Sequence, residues 1–139
     1  MGRVVVDSNV TIAYVTNEDG LGPSLSPLFR HSQLVAPWLW KLEVVNTILV
    51  LERRKVLPPE HAIDRLERLQ SLTIELLSDP PGRTLADLAA VARPHQLSAY
   101  DAVYLDLAVR ESLPLATMDR NLQRAAGKVG VELAWPSGS

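Results

Sequence analysis

The chain has 139 residues, of which 47% are hydrophobic and 22% are charged, and it contains no cysteine. This length fits one domain with one core, and the missing thiols exclude disulfides, thiolate metal sites and cysteine nucleophiles. No apolar run reaches the roughly 18 to 20 residues that span a bilayer, and the run after Met1 is too short for a signal peptide. We expect a single domain at residues 1–135, a disordered tail at 136–139, and a cytoplasmic protein with no membrane partner.

The net charge of −2 differs from the basic balance that nucleic-acid-binding proteins usually carry. If four of the 16 acidic residues belong to a metal site, 12 remain against 14 Lys and Arg, so the rest of the surface is about +2. The charge therefore permits an RNA substrate without arguing for one.

The predicted elements alternate between short strands and helices. Taken in chain order, hydrophobic periodicity and turn residues predict strands at 3–6, 34–36, 73–77, 114–117 and 131–134. They predict helices at 10–15, around 28, and at 38–54, 62–72, 84–91, 99–110 and 122–126. Residues 17–27, which include two Gly and two Pro, are predicted as a loop. The order indicates a three-layer α/β/α sandwich with a central parallel sheet of about four to five strands.

Ligands of such sheets bind outside the carboxyl ends of the strands. Asp7 directly follows the first predicted strand, and Asp119 follows the strand at 114–117. Each also precedes a helix and could simply cap it. Asp101 lies three residues after Ser98, a spacing typical of a capping box. These three acids are therefore candidates both for helix caps and for a site at the sheet edge.

Glu43 lies in the long predicted helix at 38–54, which is apolar almost all round. It shares a face with Asn46, and their row includes Leu39 and Val50, which we expect to face the core. An unpaired carboxylate there would be costly. A buried Arg partner would account for the acid, and so would a cation at the sheet edge.

Together these acids supply up to four carboxylates from four separate segments. Mg²⁺ and Mn²⁺ prefer oxygen ligands and retain several waters, so a few carboxylates suffice to hold them. We predict a one- or two-cation site for phosphodiester cleavage by activated water, with Asp7, Glu43, Asp101 and Asp119 as metal and catalytic residues.

The same residues fall in motifs that resemble those of the PIN domain, especially VapC-type toxins of toxin–antitoxin modules. The motifs are VVVDSNV at 4–10, EVVN at 43–46, SAYDAVYL at 98–105 and LATMDRNL at 115–122. The resemblance covers essentially the whole chain. It implies a PIN-like fold, a Mg²⁺- or Mn²⁺-dependent endoribonuclease, a homodimer, and a cognate antitoxin whose tail blocks the active site.

The resemblance also implies supporting roles for Thr117 and Asn121. Asn121 stands where some family members have a further acid, which puts a second metal ion in doubt. For both residues an ordinary strand or turn role is the alternative. Ser8 could cap the first helix or contact metal-bound water, and Asn46 could form a helix-to-loop hydrogen bond.

Substrate contact is expected from basic residues. Arg120 is adjacent to a site acid and is the candidate we favour over the cluster at 53–55, which suits the end of a helix. The three histidines, His31, His61 and His95, are predicted to be surface residues away from the motifs.

Two other functions fit parts of the pattern. Asp7, Asn9 and Thr11 resemble the Asp-x-Asp-x-Thr motif of haloacid-dehalogenase-type (HAD-like) phosphatases, although Asn9 replaces the general acid and no suitable lysine stands out downstream. A receiver domain would need an acidic pair after the first strand, and only Asp7 is present. A PIN-like scaffold that binds RNA or protein without cutting is the non-enzymatic alternative, and four intact acids argue against it.

Overall fold

The computed structural model describes residues 2–136, which form five β-strands and seven α-helices in the order predicted from the sequence. Their bounds are β1 Arg3–Val6, α1 Ser8–Thr16, α2 Gly22–His31, β2 Gln33–Pro37, α3 Leu39–Arg53, α4 Pro59–Ser71, β3 Ile74–Leu77, α5 Leu85–Ala92, α6 Ala99–Glu111, β4 Leu115–Ala116, α7 Arg120–Lys128 and β5 Leu133–Trp135. Two 3-10 turns, Glu18–Gly20 and Arg93–His95, precede α2 and α6. Of the predicted tail, Pro136 lies in a bend, and residues 137–139 lie outside the described residues.

All strand pairs in the sheet are parallel, and the strand order is β3-β2-β1-β4-β5. The chain first moves from β1 outward to β3, then crosses back to β4 and continues outward to β5. Because parallel crossovers are right-handed, this reversal places α1–α4 on one face and α5–α7 on the other. The helices contact one another mainly within these two groups. The predicted three-layer α/β/α sandwich is confirmed.

The reversal creates a topological switch point between β1 and β4, where open α/β sheets bind their ligands. The backbone joins the two strands here, since the N–H of Asp7 donates to the carbonyl of Ala116 at 2.9 Å. Val5 and Val6 of β1 have no exposed surface. The residues that directly follow β1 and β4 are therefore held side by side by a buried part of the sheet.

The prediction of a loop over residues 17–27 is wrong for its second half, because α2 begins at Gly22. Pro23 lies in the first turn, where a missing N–H costs nothing. The side-chain carbonyl of Asn17 accepts from the N–H of Gly22 at 2.7 Å, five residues away. Leu25 and Leu28, three positions apart, are both buried. A short helix was expected around residue 28, and the Gly and Pro content concealed only its start, where Asn17 binds the N–H of Gly22.

One buried acid of the second helical layer has cationic partners. Asp106 of α6 is 7% exposed and forms salt bridges with Arg83 and Arg110. Arg110 also donates to the carbonyl of Ser78 at 2.9 Å. This network attaches the segment that follows β3 to α6, the helix that carries Asp101.

No helix within residues 2–136 is both long enough and apolar enough to cross a bilayer.

Candidate active site

Asp7 occupies the N-cap position of α1 but does not cap the helix with its side chain. Its Oδ2 instead accepts a hydrogen bond of 2.7 Å from the hydroxyl of Thr117, which follows β4. The hydroxyl of Ser8 approaches Oδ1 at 3.4 Å. Asp7 is 4% exposed and Thr117 is fully buried, so this contact spans the switch point inside the protein. The simple capping role considered for Asp7 does not apply.

Asp119 does cap its helix, in agreement with the alternative role considered for it. Its Oδ1 accepts from the N–H groups of Asn121 and Leu122 at 2.8 and 3.1 Å, at the start of α7. Its own N–H donates to the Thr117 hydroxyl at 3.1 Å. Thr117 thus joins Asp7 and Asp119, and the cap fixes the Asp119 side chain at the sheet edge. Capping and site membership are compatible here.

Glu43 is half-buried, and its partner is Tyr104 rather than an arginine. The Tyr104 hydroxyl donates to Glu43 Oε1 at 2.6 Å, which joins α3 to α6. The prediction that the row with Leu39, Asn46 and Val50 faces the core is wrong. The buried side chains of α3 are those at 40, 44 and 48, and Asn46 is exposed. Glu43 therefore lies beside the core, where solvent and ligand reach it.

Asp101 lies in the first turn of α6, and its N–H donates to the Ser98 hydroxyl at 3.1 Å. This is one half of a capping box. A complete reciprocal box occurs instead at Thr84 and Asp87, where α5 begins. The Asp101 side chain is half-buried and interacts electrostatically with Asp7, Glu43 and Asp119. Position in the first turn holds Asp101 among the other acids.

Asp7, Glu43 and Asp101 have raised pKa values because they are partly or fully buried and because neighbouring acids repel them. Burial, with added repulsion from the charges of Glu43 and Asp101, raises the pKa of Asp7 to about 7 despite the opposing hydrogen bond from Thr117. Burial also raises the pKa of Glu43 and of Asp101, with added repulsion from Asp101 and Asp119 respectively. Within residues 2–136, none of the four acids forms a salt bridge. Asp106 differs from these four acids, because two arginines pair with its carboxylate.

Tyr104 and Asn9 are site residues to which sequence reasoning assigned no role. Burial raises the pKa of Tyr104 well above its usual value, so its hydroxyl stays a hydrogen-bond donor to Glu43. Asn9 accepts from the N–H of Met118 at 3.2 Å and joins α1 to the segment after β4. The spacing of Asp101 and Tyr104, three positions apart on one helix, is the signal that could have identified Tyr104.

The other predicted supporting residues differ in position. Ser8 lies within reach of Asp7, Glu43 and Tyr104. Asn121 and Arg120 are exposed at the start of α7, beside Asp119. His31 and His61 are exposed as predicted. His95 is only half-exposed and lines a pocket together with Asn121, so the prediction that it is remote from the motifs is wrong.

The donor set suits a hard divalent cation. Within residues 2–136, no three histidine, cysteine or acidic side chains are gathered closely enough to form a ready-made cage. Pairwise electrostatic interactions link the carboxylates instead, Asp7 with Glu43 and Asp101, Glu43 with Asp101, and Asp101 with Asp119. Mg²⁺ is usually held by one or two carboxylates and keeps several waters, so paired carboxylates fit it better than a closed cage would. The oxygen-only chemistry also excludes ligand sets that favour zinc.

An open, largely apolar cleft of about 380 Å³ is lined by residues of α3 and α6, the helices that carry Glu43 and Asp101. Its lining includes Trp38 and Leu39 at the start of α3 and Ala99 and Tyr100 directly before Asp101. The side chains of Trp38 and Tyr100 are 52% and 61% exposed. Two aromatic rings are therefore available to solvent in this cleft.

The fold and the site together define the class of this protein: it is a parallel α/β protein with an acidic site at the sheet edge, next to the β1/β4 switch point. Comparison with known families is more specific, since the PIN domain model matches residues 4–128. The chain belongs to the PIN domain family.

Individual relatives confirm the resemblance to VapC-type proteins. The chain is similar to Ribonuclease VapC3 of Pyrobaculum aerophilum, with 28% identity over 120 residues that cover 86% of this chain and 92% of the relative. The crystal structure of PAE2754 from the same organism aligns with a TM-score of 0.67 and 26% identity, over 88% of this chain and 78% of that one. VapBC2 of Rickettsia felis, solved with a DNA fragment from its promoter, shares the fold with a TM-score of 0.64 and 15% identity over 94% and 96% of the chains.

Proposed function

We propose that this chain is a Mg²⁺- or Mn²⁺-dependent endoribonuclease and the toxin of a toxin–antitoxin module. The observation that carries the proposal is that Asp7, Glu43, Asp101 and Asp119 interact electrostatically with one another, while none of them forms a salt bridge among residues 2–136. Membership in the PIN family and similarity to a protein named as a ribonuclease support the reaction class.

The four acids would hold the cation and are the catalytic residues of the proposal. A bound divalent cation supplies positive charge that activates water and stabilises the charge that develops on a phosphodiester. Thr117 holds the Asp7 carboxylate and Tyr104 holds the Glu43 carboxylate, each from another element. The Asp119 carboxylate is held by the N–H groups at the start of α7. Such hydrogen bonds fix the positions of the carboxylates before a cation binds.

RNA is the substrate that the surroundings favour. Single-stranded RNA is recognised largely through bases stacked on aromatic rings. The exposed rings of Trp38 and Tyr100, on the helices that carry Glu43 and Asp101, provide such a surface. Arg120, exposed next to Asp119, remains a candidate phosphate contact.

The phosphatase alternative loses its support from the motif that suggested it. The side chain of Asn9 accepts from the backbone of Met118, and the hydroxyl of Thr11 donates to the carbonyl of Ser8 at 2.7 Å and accepts from Trp40 at 3.0 Å. Both residues therefore serve to join α1 to its neighbours.

Two partners belong to the proposal as well. A homodimer is expected, and α3 offers a suitable surface, since Leu42, Val45 and Leu49 are 53%, 39% and 41% exposed on one side of the helix. A cognate antitoxin that covers the acids is expected from the VapC resemblance. Light scattering of the purified chain tests the dimer, and co-purification with the product of the neighbouring gene tests the antitoxin.

The deciding experiment is cleavage of a fluorescent single-stranded RNA with Mg²⁺ or with EDTA. We expect cleavage only with the cation, and loss of cleavage and of growth arrest in Asp7→Asn. Asp19→Asn is the matched control, because Asp19 is exposed in a 3-10 turn at a positive φ that asparagine also adopts. Undiminished cleavage by a folded Asp7→Asn variant would refute the assignment, and absence of cleavage by the parent protein would favour the non-catalytic scaffold.

A further inference from the structure

A second pocket, of about 290 Å³, opens between the 3-10 turn Arg93–His95 and α7. Its polar lining comes from His95, Gln96, Asn121, Arg124 and Lys128. The last three lie three and four positions apart on α7, so they share one face of that helix. This pocket shares no lining residue with the apolar cleft that contains Trp38 and Tyr100, and its lining is mainly polar.

The lining is rich in hydrogen-bond donors and positive charge. Within residues 2–136, neither Arg124 nor Lys128 forms a salt bridge, and no acidic residue lines the pocket. The Arg124 guanidinium donates to the side-chain carbonyl of Asn121, which turns both groups toward each other. Nδ1 of His95 is buried and has no hydrogen-bond partner in the described part of the chain. Such a lining is complementary to an anion.

Two residues that line the pocket belong to segments that also carry site acids. Asn121, at its rim, donates its N–H to Asp119. Gln96 lies two residues before Ser98, which caps the helix that carries Asp101. A polyanion that reached the acids would meet their negative charge, and a neighbouring cationic pocket offsets that repulsion.

We propose that this pocket binds a backbone phosphate of the RNA strand whose neighbouring linkage reaches the four acids. The inference rests on the proposed ribonuclease function and adds a substrate subsite to it. Arg124 and Lys128 supply the charge, since an arginine guanidinium and a lysine ammonium are the usual phosphate partners. Gln96, Asn121 and His95 supply further polar contacts around the phosphate.

The test is RNA binding by Arg124→Gln and Lys128→Gln, with Arg30→Gln as the matched control. Each change removes one positive charge, and Arg30 is exposed on α2, outside the pocket. Fluorescence anisotropy with a short single-stranded oligoribonucleotide is measured in EDTA over a range of salt concentrations, so that the binding readout does not depend on cleavage. Circular dichroism confirms that all variants are folded.

Each pocket variant should weaken RNA binding several-fold and reduce the slope of log affinity against log salt by about 0.7, the value for one lost phosphate contact on a single strand. Arg30→Gln should match the parent protein. Equal affinities and slopes in all three variants would overturn the proposal.

Two further measurements distinguish an RNA subsite from a site for free phosphate, and RNA binding from RNA cleavage. Inorganic phosphate is titrated while side-chain NMR signals of Arg124 are followed; a response to phosphate without any effect of the variants on RNA binding identifies a free-phosphate site and overturns the proposal. Cleavage is measured in parallel with Mg²⁺. If the parent protein binds RNA through the pocket without cutting it, the phosphate subsite is supported and the ribonuclease function is contradicted. If it cuts RNA equally well when the pocket is altered, the ribonuclease function is supported and the phosphate subsite is contradicted.

Discussion

Asp7→Asn should stabilise the metal-free protein at the same time as it abolishes cleavage. Burial holds the pKa of Asp7 at about 7, well above its ordinary value of 3.8. Between these pH values the folded protein retains a proton that the unfolded chain has lost. Ionisation of the buried carboxyl therefore lowers the free energy of unfolding as the pH rises through this window, and the full cost is present above about pH 7.

The magnitude follows from the pKa difference of Asp7. A shift of about three units corresponds to about 4 kcal/mol at pH 8 and to about 1 kcal/mol at pH 4.5. An asparagine removes the charge and keeps the contacts, since its carbonyl can accept from Thr117 and its amide can donate to the Ser8 hydroxyl. Repulsion from Glu43 and Asp101 is removed as well.

Urea unfolding in EDTA measures this effect directly. We expect Asp7→Asn to exceed the parent protein in free energy of unfolding by about 2 to 4 kcal/mol at pH 8, with the difference shrinking to about 1 kcal/mol at pH 4.5. Asp19→Asn should change stability at neither pH. A variant that is less stable than the parent at pH 8, or a difference that is independent of pH, would refute the reasoning.

Three other predictions concern the groups around the acids. Tyr104→Phe removes the hydrogen bond to Glu43 and should weaken Mn²⁺ binding, measured by calorimetry, by about tenfold; unchanged affinity would deny the tyrosine its positioning role. Thr117→Val removes a bond that lowers the pKa of Asp7, so the pH midpoint of Mn²⁺ binding should rise, and an unchanged midpoint would contradict this. Asp106→Ala leaves two arginines without their acid and should cost about 3 kcal/mol in urea unfolding while Mn²⁺ affinity persists.

Much of the site was predictable because it follows from strand order. Asp7 and Asp119 directly follow buried strands, and parallel strands bring their carboxyl ends to one edge. The supporting role of Thr117 was implied by the resemblance to the PIN domain, and its hydroxyl does bond to Asp7. The residue that holds Glu43 was not predicted, because its contact with Tyr104 joins two helices 61 positions apart in the chain.

The errors have related physical causes. The exposed and buried faces of α3 could not be separated by pattern, since the helix is apolar almost all round and Leu42, Val45 and Leu49 are exposed. The start of α2 depends on a side-chain cap from Asn17, beyond the range of local periodicity. Long-range polar contacts and exposed apolar residues are therefore the features that a single sequence does not reveal.

Direct measurement of cation binding tests the central claim. Mn²⁺ is titrated into the parent protein, Asp101→Asn and the control Asp19→Asn, and binding is followed by electron paramagnetic resonance. The four carboxylates predict saturable binding in the parent and the control. Binding should weaken more than about tenfold in Asp101→Asn, because even loss of an outer hydrogen-bond partner of a ligand costs about 10- to 100-fold in such sites. Equal affinities in all three proteins would show that these acids do not hold the ion.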